Sequence, residues 1–73
     1  MIRTTAQVLA QVQRLGYVVK VFKVNDTVEL HAVPLRGDAL AQVARCNDGI
    51  GPDDEYRAAC LLAQAIGIDL EDG

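Results

Sequence analysis

The stretch YVVKVFKVNDTVELHAV, residues 17–33, decides the fold. Its first half is dense in β-branched and aromatic residues, and its second half alternates apolar with polar side chains, as strands with one buried face do. Asn25-Asp26 interrupts this pattern, and both residues tolerate the positive φ that a tight hairpin turn requires. The stretch therefore predicts two antiparallel strands, about residues 17–24 and 27–33, joined by a two-residue turn.

The two-residue turn fixes which side chains share a face of this hairpin. It places Val24 opposite Thr27 and Phe22 opposite Glu29, and paired residues point to the same side of a sheet. One face is apolar and is expected to form the core: Tyr17, Val19, Val21, Val28, Leu30 and Ala32. The other face carries Val18, Lys20, Phe22, Val24, Glu29 and His31.

The second face is too apolar for an ordinary solvated surface, because Val18, Phe22 and Val24 lie on it. Exposed apolar patches of this kind often mark an interface. A register slip of one residue would instead bury Phe22 and expose the other set. The candidate interaction surface predicted on this hairpin consists of Val18, Lys20, Phe22, Val24 and His31.

A helix is expected before the hairpin, over about residues 5–15. Thr4 and Gln7 stand at the spacing of a capping box, and the apolar residues that follow recur at helical spacing. Gly16 suits the left-handed position that ends many helices.

The segment after the hairpin, ALAQVARC, allows two interpretations. Its residues favour a helix by propensity, with Asp38 as a possible N-cap. A third strand over about residues 40–46 is preferred, since a two-stranded hairpin alone is marginally stable. The face on which Cys46 lies is left open.

The segment PDDEYRAACLLAQAIG predicts a second helix, over about residues 52–66. Gly67 can cap its end, and Ile68 can fold back beneath it. Pro52 suits the first helical position, and three carboxylates follow it where the helix dipole favours negative charge. The expected apolar stripe is Tyr56, Ala59, Cys60, Ala63 and Ile66, with Leu62 at its margin. Leu61 falls on the far side and is a further candidate for a contact outside the monomer, and residues 69–73 form an acidic tail.

These elements predict one small α+β domain over residues 1–73, a two-layer αβββα sandwich with a three-stranded antiparallel sheet on two helices. The order of elements resembles the double-stranded RNA-binding domain, as does the alanine-rich second helix after a glycine-containing turn. The resemblance implies that fold. RNA-binding members of the family place lysines at the start of the second helix, where this chain has Asp53, Asp54 and Glu55. Carboxylates there repel phosphates, so binding of double-stranded RNA is not expected.

Composition limits the function further. The chain of 73 residues is 51% hydrophobic and 23% charged, as globular domains are, and no apolar run suggests a signal peptide or a membrane span. With only two cysteines, a cytoplasmic location is expected. The charge is uneven: residues 1–45 carry six basic and three acidic side chains, and residues 46–73 carry one basic and seven acidic.

Little in the sequence suggests catalysis or a cofactor. The chain has no serine and one histidine, His31, and Cys46 and Cys60 lack the spacing of a redox pair. The loop CNDGIGPDDE, residues 46–55, does not follow the calcium-loop pattern. Its glycines precede a helix start, as in phosphate-binding loops, but its acids would cancel the positive potential that attracts a phosphate there. No catalytic residue, metal site or cofactor is predicted.

Three hypotheses for the function remain. The leading hypothesis is a non-catalytic module that binds an unknown protein or a second copy of itself. The alternative is a nucleic-acid-binding module that uses the basic residues of the N-terminal half: Arg3, Arg14, Lys20, Lys23, Arg36 and Arg45. An acidic mimic of nucleic acid, based on the C-terminal charge, is a third hypothesis.

Overall fold

A computed structural model describes residues 4–37 and 40–69 and has the predicted α+β architecture. The elements in chain order are α1 (Thr5–Arg14), β1 (Tyr17–Val24), β2 (Thr27–Pro34), β3 (Gln42–Cys46) and α2 (Pro52–Ile66). The order αβββα is confirmed, and the segment with two interpretations forms a strand. Arg3, Asp38 and the acidic tail beyond Asp69 lie outside the described residues.

The three strands form one antiparallel sheet in the order β1-β2-β3. Asn25 has φ 55°, and a single positive φ at the first central residue is the pattern of a type II′ hairpin turn. The predicted register is right: Phe22 lies opposite Glu29, and Val24 lies opposite Thr27. The alternative register, with Phe22 on the core side, is therefore excluded.

Both ends of α1 follow the predicted local signals. The Gln7 N–H donates to the Thr4 hydroxyl oxygen over 3.1 Å, and the Thr4 N–H donates to the Gln7 amide oxygen over 2.9 Å. Gly16, with φ 94°, turns the chain from α1 into β1. Val8 and Val12 are fully buried, so the same short helix contributes two side chains to the core.

The end of α2 is closed in a similar way. Gly67 adopts the left-handed conformation, with φ 101°. The N–H groups of Gly67 and Ile68 both donate to the Ala63 carbonyl oxygen, over 3.1 and 2.9 Å. Ile68 then packs against the core, as the sequence of this helix end predicts.

The core lies between one face of the sheet and both helices, and its buried side chains come from every element except β1. The apolar stripe predicted for α2 is partly wrong. Ala58 and Leu62 are fully buried, whereas Tyr56, Cys60 and Ile66 are only partly buried. The reason is that α2 packs against α1 as well as against β2 and β3, which turns the centre of its buried face towards Leu62.

Val21 departs from the expected core. It lies on the same face as Leu30, but 47% of its surface is exposed. Helix α1 packs against β1, where Tyr17 and Val19 are partly buried, and α2 packs mainly on β2 and β3. The sheet is therefore wider than the helix layer, and the middle of β1 extends beyond it.

Candidate functional site

The candidate site is the outer face of the sheet, defined here as the face away from the helices. The molecule measures 32 × 32 × 15 Å, a thickness that fits one helix layer on one sheet layer. The outer face is therefore open to solvent. Five apolar side chains on it are between 37% and 63% exposed: Val18, Phe22, Val24, Val33 and Val43.

The structure brings five of the six predicted surface residues together on this face. The register places Lys20 opposite His31, with Val18, Phe22 and Val24 along the same side of β1. Leu61 is also exposed, at 45%, but it belongs to α2, which packs on the opposite side of the sheet. Leu61 is therefore not part of the same surface.

Val33 and Val43 belong to this surface and were missed by sequence reasoning. Val33 lies opposite Val18, and Val43 lies opposite His31 on the third strand. The two-residue turn already implied the position of Val33, because it extends the same pairing by one step. Val43 needed the register between β2 and β3, which no local signal in the chain specifies.

A polar cluster lies at the centre of the outer face. His31 Nε2 lies 2.7 Å from Glu29 Oε1, and Arg45 Nε donates to Glu29 Oε2 over 2.9 Å. The rings of His31 and Phe22 meet edge to face, with centroids 4.8 Å apart. The hydrogen bond with His31, and next that from Arg45, lower the pKa of the Glu29 carboxyl group. The cluster places these hydrogen-bonded side chains among the exposed valines of the face.

The residues that connect β3 to α2, and the first turn of α2, stabilise the contact between this helix and the sheet. Asp54 accepts a hydrogen bond from the Gly51 N–H at 3.1 Å and another from the Cys46 thiol at 3.5 Å. Glu55 forms an ion pair with Lys23 of β1. Two acids of the first turn thus connect α2 to the two edge strands of the sheet, β3 and β1. They also lie where the helix dipole favours negative charge.

The face of Cys46 is now settled, with a consequence for catalysis. Cys46 lies opposite Val28 and is buried on the core side, whereas His31 lies on the outer face. The sheet therefore separates the histidine from this thiol, and Cys60 belongs to α2 on the core side. Within residues 4–37 and 40–69, no group of three or more metal-ligating side chains converges.

The basic residues of the N-terminal half that the structure describes do not form one surface. Lys23 is paired with Glu55 on the helix side, while Lys20 and Arg45 lie on the outer face. Arg14 and Arg36 lie at a third place, near the end of the sheet where β1 begins and β2 ends. They line a shallow cavity of about 480 Å³ together with Leu15, Gly16, Tyr17, Pro34 and Leu35.

Comparison with known proteins gives no further guide. Neither a protein-family model, nor a curated protein, nor a solved structure matches the chain. In the part of the chain that the structure describes, neither helix has the length and apolar character to cross a membrane.

Proposed function

We propose that this chain is a non-catalytic protein-interaction domain that binds another protein, or a second copy of itself, through the outer face of its sheet. The observation that carries the proposal is the uncovered sheet layer. One side of a three-stranded sheet has no helix on it in the described part of the chain, and it presents five exposed apolar side chains around a hydrogen-bonded polar cluster.

The composition of this face supports a protein partner. The central parts of protein interfaces combine aromatic and aliphatic side chains with a few oriented polar groups. Here Phe22 and Val43 flank His31, and Glu29 accepts hydrogen bonds on both of its oxygens. A partner that covers the face removes apolar area from water, and the hydrogen bonds among Glu29, His31 and Arg45 already satisfy part of its polar surface.

The alternatives have less support. Nucleic-acid binding needs several cations on one surface, and Lys23 and Arg45 already neutralise carboxylates within the domain. An enzyme needs converging reactive groups, and the histidine and the buried thiol lie on opposite sides of the sheet. A cytoplasmic location remains part of the proposal, in keeping with two free cysteines.

The proposal is tested by affinity capture from an extract of the native host, with quantitative mass spectrometry. Three immobilised chains are compared: wild type, Val43→Lys and Leu35→Lys. Val43 is 41% exposed on the outer face, whereas Leu35 is 69% exposed and follows the end of β2. Both positions accept a lysine without unfolding the domain, which amide NMR spectra check.

A protein bound by wild type and by Leu35→Lys, but reduced about tenfold on Val43→Lys, supports the proposal, because a charge in an interface core costs more than about 1.4 kcal/mol. Proteins captured equally by all three chains contradict it. Binding of DNA or RNA oligonucleotides that weakens steeply with salt would favour the nucleic-acid alternative instead.

A further inference from the structure

The edge of β1 is a second unpaired feature of the molecule. β1 lies at the edge of the sheet and is eight residues long, Tyr17–Val24, with five consecutive exposed residues at its end. Long apolar edge strands are sites at which a further strand adds to a sheet. This edge differs from the outer face, because it acts through the backbone.

The hairpin register shows which backbone groups of β1 point outward. The residues that flank a two-residue turn exchange both hydrogen bonds, and such pairs then alternate along an antiparallel ladder. The Leu35 N–H donates to the Gly16 carbonyl oxygen over 2.8 Å, which continues this alternation beyond the strand ends. The even-numbered residues of β1 therefore bond to β2. The outward N–H and C=O groups belong to Tyr17, Val19, Val21 and Lys23.

Val21 lies at the middle of this free edge. Its side chain faces the helix side of the sheet, yet it is 47% exposed because the helix layer ends before it. A neighbouring strand would supply both the missing backbone partners and the missing side-chain contact at this position.

We propose that a second copy of the chain adds its β1 antiparallel to this edge, across a twofold axis at Val21, to give a continuous six-stranded sheet. Val21 then lies opposite Val21 of the second copy. On the outer face, Lys20 lies opposite Phe22 and Val18 lies opposite Val24 of the second copy. About six new backbone hydrogen bonds form, from the outward residues on both strands.

The charges of β1 select this register. An axis at Lys20 would place two lysines in direct opposition, which is unfavourable. An axis at Phe22 shortens the overlap and sets Val18 against Asp26. The axis at Val21 avoids both and brings Asp26 of the second copy to the level of Gly16, beside the cavity lined by Arg14 and Arg36.

A second copy is the occupant that this complementarity favours. The strand itself provides an apolar partner for each of its lysines and a carboxylate for the arginines at its far end. The inference rests on the proposed function only in that the chain acts through protein contact. It uses the edge of the sheet, so it predicts a separate mutational pattern.

The experiment combines sedimentation with NMR amide hydrogen exchange, from about 10 μM to about 1 mM protein, a range suited to a modest interface. Wild type is compared with Val21→Lys, Val21→Pro and Val43→Lys. Proline at an outward edge position removes a free N–H that the monomer does not use. Val43→Lys places the same charge on the outer face of β3, at the opposite edge of the sheet from β1.

The expected result is a dimer in wild type and Val43→Lys, with a dissociation constant at least tenfold higher in both Val21 variants. Exchange at the amides of Val19, Val21 and Lys23 slows as concentration rises, whereas the amides of Lys20 and Phe22 are protected throughout. A monomer at every concentration overturns the inference, as does a dimer lost only in Val43→Lys. If the dimer forms as expected but the affinity capture recovers no partner, the proposed function of the outer face is contradicted and the edge dimer is not.

Discussion

Replacement of Gly49, in the loop between β3 and α2, is expected to lower the stability of the domain by an amount that the structure allows us to estimate. Gly49 has φ 153°, and a Cβ atom added there would lie 2.8 Å from Asp54 Oδ2. An alanine must therefore adopt a strained backbone and also displace the carboxylate that accepts hydrogen bonds from Gly51 and Cys46.

The cost of Gly49→Ala follows from these two parts. The backbone strain is about 1–3 kcal/mol. Loss of a carboxylate that accepts an N–H at a helix start costs about 1 kcal/mol. The sum of about 2–4 kcal/mol is most of the stability expected for a domain of this size. It corresponds to a fall in Tm of roughly 8–32 °C.

A double-mutant cycle in urea separates the two parts, with a stabilising osmolyte added so that Gly49→Ala remains measurable. Asp54→Ala alone should cost about 1 kcal/mol. The double variant should be no less stable than Gly49→Ala, a coupling of about 1 kcal/mol. The control is Gly37→Ala, whose added Cβ meets no atom of the described residues within 4 Å, and it should change stability by less than about 0.5 kcal/mol. Additive effects at Gly49 and Asp54 would refute the reasoning.

Two further predictions concern the core and the polar cluster. Leu62→Ala removes a fully buried side chain and should lower the free energy of unfolding by about 2–4 kcal/mol. Leu61→Ala, at a 45% exposed position, should lower it by less than about 0.5 kcal/mol. Equal urea midpoints for the two variants would contradict the burial of Leu62. Because the folded pKa of Glu29 lies below its ordinary value of 4.5, its contribution to stability is present above that pH and is lost as pH falls through the folded pKa. Wild type should therefore lose more stability than Glu29→Gln in acid, and His31→Ala should raise the Glu29 pKa in an NMR titration; an unchanged Glu29 pKa in His31→Ala would contradict the assigned cause.

Much of the fold could be predicted because local signals are strong at the right places. The Asn25-Asp26 turn favours one register, and the side chains of β1 and β2 that were assigned to a face from it lie on that face. The capping box at Thr4 and the glycines at positions 16 and 67 marked the helix ends.

The errors arise where the answer depends on packing between elements. Periodicity gives the width of an apolar stripe on α2 but not its rotation, so Leu62 was placed at the margin although it lies in the core. Alternation placed Val21 on the helix side but gave no sign that the helix layer ends before it. The same limit applied to Val43 and Cys46, since the register of β3 is set by the assembled sheet.

The charges illustrate a different limit. The acids after Pro52 were expected to stabilise the start of α2 through the helix dipole, which is a local effect. Their further contacts, Asp54 to Cys46 of β3 and Glu55 to Lys23 of β1, join different elements and required the assembled fold.

The central claim is that the molecule acts through its sheet layer, and methyl NMR of the labelled protein in native-host extract tests it most directly. We predict that the signals of Val18, Val33 and Val43 broaden first as extract is added, while those of the exposed Leu15 and Leu61 on the helix side remain sharp. Broadening centred on the two leucines, or equal broadening of all five residues, would contradict the claim.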